Sequence, residues 1–153
     1  MKAYQLTVPA INKPGQLAAV TGVLAKENIN IRGITISSFG PQGFFNILVD
    51  DPKGAQKALV RDGFTVEMKE VISIVVGDKP GSLNDMIQIL AKENVNVQNS
   101  YGFVLESRKT AVIVIEVDQD QIDKTIDLLQ RNKYKTITAE GIAAIEPFAY
   151  ITY

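Results

Sequence analysis

Hydrophobic positions change period several times along the 153-residue chain, and the changes mark its elements. Residues 3–8 alternate, with Tyr4, Leu6 and Val8 on one face, which predicts a strand. Asn12-Lys13-Pro14-Gly15 breaks it. Proline in a helix's first turn loses no hydrogen bond, because its missing N–H has no intrahelical partner there. Leu17, Val20, Val23 and Leu24 then repeat at helical spacing up to a turn near Asn28. A strand over 30–39, a turn over 40–43 and a strand over 44–49 follow. Asp51-Pro52 opens a second helix carrying Ala55, Ala58, Leu59 and Val60, and residues 64–68 read as a fourth strand.

The order then repeats. Residues 71–76 predict a strand, 80–93 a helix, and 96–105 with 110–117 a hairpin around 106–109. A helix over 119–132 and a strand over 134–138 complete the set. Each copy reads β-α-β-β-α-β, so the fold class is α+β: two tandem ferredoxin-like βαββαβ modules, antiparallel sheets with both helices on one face. The tight hairpins argue against one doubly wound sheet. The expected domains are 1–69 and 70–142, with 143–153 an apolar, aromatic C-terminal extension expected to pack.

The duplication is visible residue by residue. The block from Asn12 to Ile31 returns from Asp78 to Val97 with half of its positions identical. Such a repeat implies a paired function. Modules of about 70 residues bury only about 60% of their unfolded surface and need a neighbour.

Composition narrows the chemistry. Net charge is −1 with 22% charged residues, without the basic excess that nucleic acid or anionic membranes attract. Cysteine and histidine are absent, which removes disulfides, thiolate nucleophiles, imidazole bases and the usual zinc ligands. No apolar run approaches the ~20 residues of a membrane span. The first residues enter an alternating pattern directly, without the pattern of a signal peptide, so a cytoplasmic protein is expected.

The informative motif is Asn/Asp-Lys-Pro-Gly-x-Leu at the first strand-to-helix turn, followed by Asn-Ile/Val-Asn-Ile/Val at the second strand. The turn presents unpaired N–H groups at a helix start, a ready seat for a carboxylate. Gly15 and Gly81 are expected to let a ligand approach the backbone. Asn12 and Asp78 stand where a polar side chain can meet an ammonium group. Helix-start and turn chemistry alone also accounts for these residues. With a helix of about 14 residues spanning ~20 Å between them, Asn12 and Asn30 fall at opposite ends of one module and cannot share a ligand.

Asn12-Lys13-Pro14-Gly15-Gln16-Leu17 with Asn28-Ile29-Asn30-Ile31, and Asp78-Lys79-Pro80-Gly81-Ser82-Leu83 with Asn94-Val95-Asn96-Val97, resemble the ACT-domain family over nearly the whole chain. The resemblance implies a regulatory protein binding a free L-amino acid between paired modules, with no cofactor, no metal and no catalytic residue. The ligand-binding positions it implies are Asn12, Gly15, Gln16, Leu17, Asn30 and Ile31 in copy one. In copy two they are Asp78, Gly81, Ser82, Leu83, Asn96 and Val97; the unusually polar and aromatic second strand there adds Gln98 and Tyr101, as pocket residues or a solvated edge. The family's polar residue just before the loop is missing, since Ala10 and Val76 are apolar. Copy two, with a carboxylate at Asp78, is expected to bind more strongly.

Modules joined through antiparallel second strands bring each first loop to the partner's second strand. Within one chain that requires bridging ~29 Å, whereas a connector at Lys69-Glu70 reaches ~14 Å at most. A homodimer is therefore expected, or strands exchanged between the copies. Regulatory output would pass to a separate metabolic enzyme; a ligand-free interaction module is the alternative. Gly43-Phe44-Phe45 faintly resembles an RNA-recognition motif, but copy two has no aromatic there and the chain is not basic. An acylphosphatase-like enzyme needs an arginine in the first loop, where only Lys13 and Lys79 stand.

Overall fold

The structure is a computed structural model and describes residues 2–145. Copy one contributes β1 (Ala3–Ile11), α1 (Gln16–Lys26), β2 (Ile31–Phe39), β3 (Gln42–Val49) and α2 (Pro52–Arg61). A long strand, β4 (Glu67–Gly77), passes into copy two, which adds α3 (Ser82–Lys92), β5 (Asn99–Glu106) and β6 (Thr110–Glu116). A 3-10 turn (Gln119–Gln121), α4 (Ile122–Arg131), β7 (Lys135–Ile137) and α5 (Ala139–Ala143) complete it. The two ferredoxin-like modules expected from the repeat are present.

The strand order is β2-β3-β1-β4-β6-β5, with β7 also on β4. The expected fourth strand over 64–68 and first strand of copy two over 71–76 are one strand, so Lys69-Glu70 is not a connector. No glycine or proline interrupts the run from Glu67 to Val76, and β1 pairs with it as far as Val71 while β6 takes over at Ile72. The first residues of the expected strand, Phe64 and Val66, pack against the copy-one core instead.

Each module buries a core between its helices and one sheet face. In copy one Leu6 and Val8 meet Val20, Leu24, Ile47 and Leu59; in copy two Ile72 and Ile74 meet Met86, Leu90, Ile115 and Leu129. A third core lies between the open faces of the two sheets. Ala3, Leu48, Val71, Val112, Val114 and Ile142 form it, with Tyr101 and Phe103 against it. Fully burying a large apolar side chain stabilises by about 1.5–3 kcal/mol, so this layer answers the marginality of each small module.

The join between the modules is not the strand exchange expected within one chain. The modules neither pair through their second strands within the chain nor exchange strands among the described residues. They share β4 and fold their sheets together, which brings β2 and β5 close. A Cβ built on Gly33 of β2 would lie 3.1 Å from the Tyr101 ring of β5. Coplanar sheets would leave a span of ~29 Å to bridge; folding one sheet over the other removes it.

Two boundaries carry chemistry. Gly15 and Gly81 have φ of 90° and 88° and immediately precede α1 and α3. The prolines thus lie outside the helices, not in their first turns. The Gln16 N–H donates to the Lys13 carbonyl at 3.4 Å and the Ser82 N–H to Lys79 at 3.3 Å. With proline second and a positive-φ glycine third, these are type II turns. At the far ends Asn28 and Asn94 both adopt φ 55°. The Ile29 N–H reaches the Leu24 carbonyl and the Val95 N–H that of Leu90, each at 3.0 Å. These bonds close Schellman caps, where asparagine is tolerated next to glycine. The repeated Leu-Ala-Lys-Glu-Asn run is therefore helix-stop chemistry. At the end of copy two, α5 buries Ile142 in the inter-sheet core; of the C-terminal extension only 143–145 are described, and residues 146–153 lie outside the described part.

Candidate functional site

At the start of α1 the chain leaves β1, turns at Lys13-Pro14-Gly15 and enters a helix that no side chain caps. The first N–H groups of such a helix have no intrahelical acceptor. Asn12 straps this loop to the β2–β3 turn: its N–H donates to the Pro41 carbonyl at 2.8 Å, and its Nδ2 to the Gly40 carbonyl at 3.4 Å. Asp78 does the equivalent with the opposite polarity. Its N–H donates to the Lys109 carbonyl at 3.0 Å, while Oδ2 accepts from the Arg108 N–H at 2.6 Å. The choice of amide or carboxylate follows the neighbouring turn, which offers a carbonyl in copy one and an N–H in copy two.

Between this loop and the hairpin, copy one holds an open cleft of about 390 Å³. Ala10, Ile11, Asn12, Lys13, Pro14, Leu17, Ile36, Ser37, Ser38, Gly43 and Phe45 line it. Gly43 keeps it open at the back: a Cβ there would stand 3.3 Å from the Ser37 carbonyl and 4.0 Å from the Asn12 Cβ. Gly15 and Gly81 have open space where a Cβ would be, and their positive φ by itself favours glycine there.

The corresponding corner of copy two is more filled. Ile113 of β6 lies over Gly102 of β5, with its Cδ1 2.8 Å from where a Cβ would be. In copy one the residue on the same cross-strand pairing, Ile36 opposite Phe45, leaves its side chain 53% exposed on the cleft. Ser82 is buried, with its Oγ 3.1 Å from the Cβ position of Gly77.

Of the sequence-predicted positions, Asn12 and Leu17 line the cleft. Gln16 and Gly15 flank it. Asn30 and Ile31 lie at the other end of β2, where the Asn30 N–H donates to Asp50 Oδ1 at 3.0 Å. A nine-residue strand is ~30 Å long, so the two ends cannot share a small ligand within one chain. Asn96 and Val97 precede β5, Gly81 and Leu83 sit at the start of α3, and the Gln98 amide is bonded to the Asp118 carboxylate.

Tyr101 lies on β5, an outer strand, yet its side chain packs against the inter-sheet core and does not line the cleft. It anchors a polar network between the sheets that the sequence did not reveal. Its hydroxyl donates to Gln5 Oε1 at 3.0 Å. Gln5 Nε2 lies 3.1 Å from Thr7 Oγ1, 3.2 Å from Asn46 Oδ1 and 3.3 Å from Glu116 Oε2. Lys69 Nζ closes the network on Glu116 Oε1 at 2.9 Å. Burial first, and the Glu116 carboxylate second, raise the Tyr101 phenol above its ordinary range. Missed as well were the apolar lining residues Ile11, Ile36 and Phe45. Two signals pointed to them: apolar residues beside the loop motif, and an apolar second strand in copy one against a polar one in copy two.

Among the described residues no three His, Cys, Asp or Glu side chains are placed to hold a metal ion, and no helix is long and apolar enough to cross a membrane.

Residues 1–145 match a family model described as an ACT domain pair. A Bacteroides thetaiotaomicron protein of known structure is 33% identical over 94% of this chain and 97% of its own, with a TM-score of 0.86. The regulatory subunit of aspartate kinase from Thermus thermophilus, in its ligand-free form, is 19% identical, with a TM-score of 0.61 over 86% of this chain and 93% of its own. That from Thermus flavus is 17% identical, with a TM-score of 0.57 over 86% and 92%. At these two identities the likeness is one of fold alone. No curated protein matches the chain.

Proposed function

The chain belongs to the ACT-domain-pair family, and from that premise we propose that it is a regulatory, non-catalytic protein that binds a free L-amino acid in the copy-one cleft. The observation that carries this reading is the open cleft beside an uncapped helix start, with Asn12, Ser37 and Ser38 at its polar side. Helix N–H groups suit the ligand carboxylate, and the amide and hydroxyl oxygens suit its ammonium. The copy-two loop, with Asp78 Oδ2 already bonded and Ile113 over Gly102, is the weaker candidate, which reverses the ranking that charge alone suggested.

The mouth of the cleft runs along β2, the outer strand of the sheet. Ile34, Ile36 and Phe39 of that strand are exposed, Phe39 by 93%. A second copy laid antiparallel along β2 covers this edge, as open strand edges require. It also brings its own Asn30 and Ile31 to the Asn12 loop. We therefore propose a homodimer in which the partner completes the site, with output to a separate metabolic enzyme. The cytoplasm is the proposed location, with neither nucleic acid nor membrane as a partner.

A thermal-shift panel of the twenty free L-amino acids, followed by calorimetric titration, tests the reading. A ligand that binds only the folded state stabilises it by about 2.7 kcal/mol at one hundred times Kd. Absence of any shift or heat at millimolar concentration would end the sensor reading. Sedimentation as a strict monomer with ligand bound would remove the dimer.

A further inference from the structure

The cleft walls differ in chemistry from its mouth. Ile11, Leu17, Ile36 and Phe45 face the space together with Ala10. Ile11 is 59% exposed, Ile36 53% and Leu17 37%. Single exposed aliphatic residues are ordinary on a protein surface; several converging on one hollow mark a place where apolar surface is to be covered. No carboxylate lines the cleft, and its one charged residue is the exposed Lys13. A lysine or arginine side chain entering it would shed water without meeting a counter-charge. An aspartate or glutamate side chain would find only that solvated ammonium, an arrangement worth little in high dielectric. A branched aliphatic side chain takes Ile11, Leu17 and Ile36 out of water at no polar cost. The cleft's ~390 Å³ is at the small end of the ~300–1,000 Å³ typical of small-molecule sites. That size suits a single amino acid.

We infer that the ligand is an amino acid with an uncharged, branched aliphatic side chain, of the leucine, isoleucine or valine type. This rests on the amino-acid reading above. The amino and carboxylate groups lie toward Asn12, Ser37, Ser38 and the start of α1, and the side chain lies against Ile11, Leu17 and Ile36.

The test is calorimetric titration of the whole chain with leucine, isoleucine, valine, alanine, lysine and glutamate, repeated on Ile36→Asp. Ile36 is half-exposed and outside the cores, so the variant is expected to fold, and its melting temperature checks this. One of the three branched ligands should bind best. Alanine should bind at least tenfold more weakly, since each methylene in an apolar pocket is worth roughly tenfold or more. Lysine and glutamate should bind at least a hundredfold more weakly. Ile36→Asp should lose at least tenfold for the branched ligand and shift the preference toward lysine. Lysine or glutamate binding the wild-type chain as tightly as the branched amino acids would overturn the inference and leave the amino-acid reading standing. Branched-ligand affinity unchanged in Ile36→Asp would overturn it by placing the ligand elsewhere. Heat from no amino acid would end both.

Discussion

Replacing Tyr101 with Phe removes one oxygen and leaves the ring on Gly33. The hydroxyl donates to Gln5 Oε1 at 3.0 Å, and Gln5 has no exposed surface. Losing a buried bond and leaving its acceptor unpaired costs about 1–3 kcal/mol. Because Gln5 keeps its contacts with Thr7, Asn46 and Glu116, we expect about 1–2 kcal/mol near neutral pH. That corresponds to a fall in Tm of roughly 2–8 °C for a chain of this size. The pH dependence separates this loss from mere repacking. Burial raises the phenol's pKa in the folded state. Its contribution is therefore complete below the ordinary tyrosine value of ~10, and above it the unfolded chain releases the proton first. Wild-type stability should fall above pH ~10 by up to about 1.4 kcal/mol per pH unit more than that of Tyr101→Phe. Urea unfolding of both proteins at pH 7, 9, 10 and 11 measures this. The gap should be constant to pH 9 and close toward pH 11. Equal stability at pH 7, or a gap that persists unchanged at pH 11, would refute the buried-network reading.

Other perturbations probe other links. Gly15→Ala places a side chain at φ 90° with space around it, so it should cost about 1–2 kcal/mol from the backbone alone, read by urea unfolding. Asn94→Gly should be neutral or slightly stabilising and Asn94→Val destabilising by about 1–2 kcal/mol, because the position is a left-handed helix stop. Lys69→Met strands the buried Glu116 carboxylate and should cost about 2–4 kcal/mol, below a fully buried pair because Lys69 keeps some solvent. Calorimetry should show Asn12→Ala weakening ligand binding more than Asp78→Ala; the reverse would move the site to copy two.

The repeat, both βαββαβ modules and the hairpins were legible because apolar periodicity and turn residues are local signals. The continuity of β4 was not. A strand that serves two sheets contains no stop signal, and only the repeat suggests a boundary there. The polar network failed for a different reason. Gln5 and Thr7 alternate with Leu6 and Val8 and so resemble a solvated face, whereas that face is covered by the other module. The loop motif was legible, and the structure adds a local role for its residues. Asn28 and Asn94 stop helices, Gly15 and Gly81 make turns, and Asn12 and Asp78 bind the adjacent hairpin turn. Duplication preserves such structural chemistry as faithfully as binding chemistry. What distinguishes the copies is the second strand, where Ile36 leaves a hollow and Gly102 is covered by Ile113.

Occupancy of the copy-one cleft by one amino acid is the proposal on which the function rests. Backbone amide NMR of the isotopically labelled chain, titrated with the tightest amino acid of the panel, tests it most directly. The resonances of Asn12, Leu17, Ile36, Ser37 and Gly43 should move in a saturable way, while those of Asp78, Leu83 and Gly102 stay within a small fraction of that change. Saturable shifts centred on the copy-two loop, or none at any residue, would contradict the account.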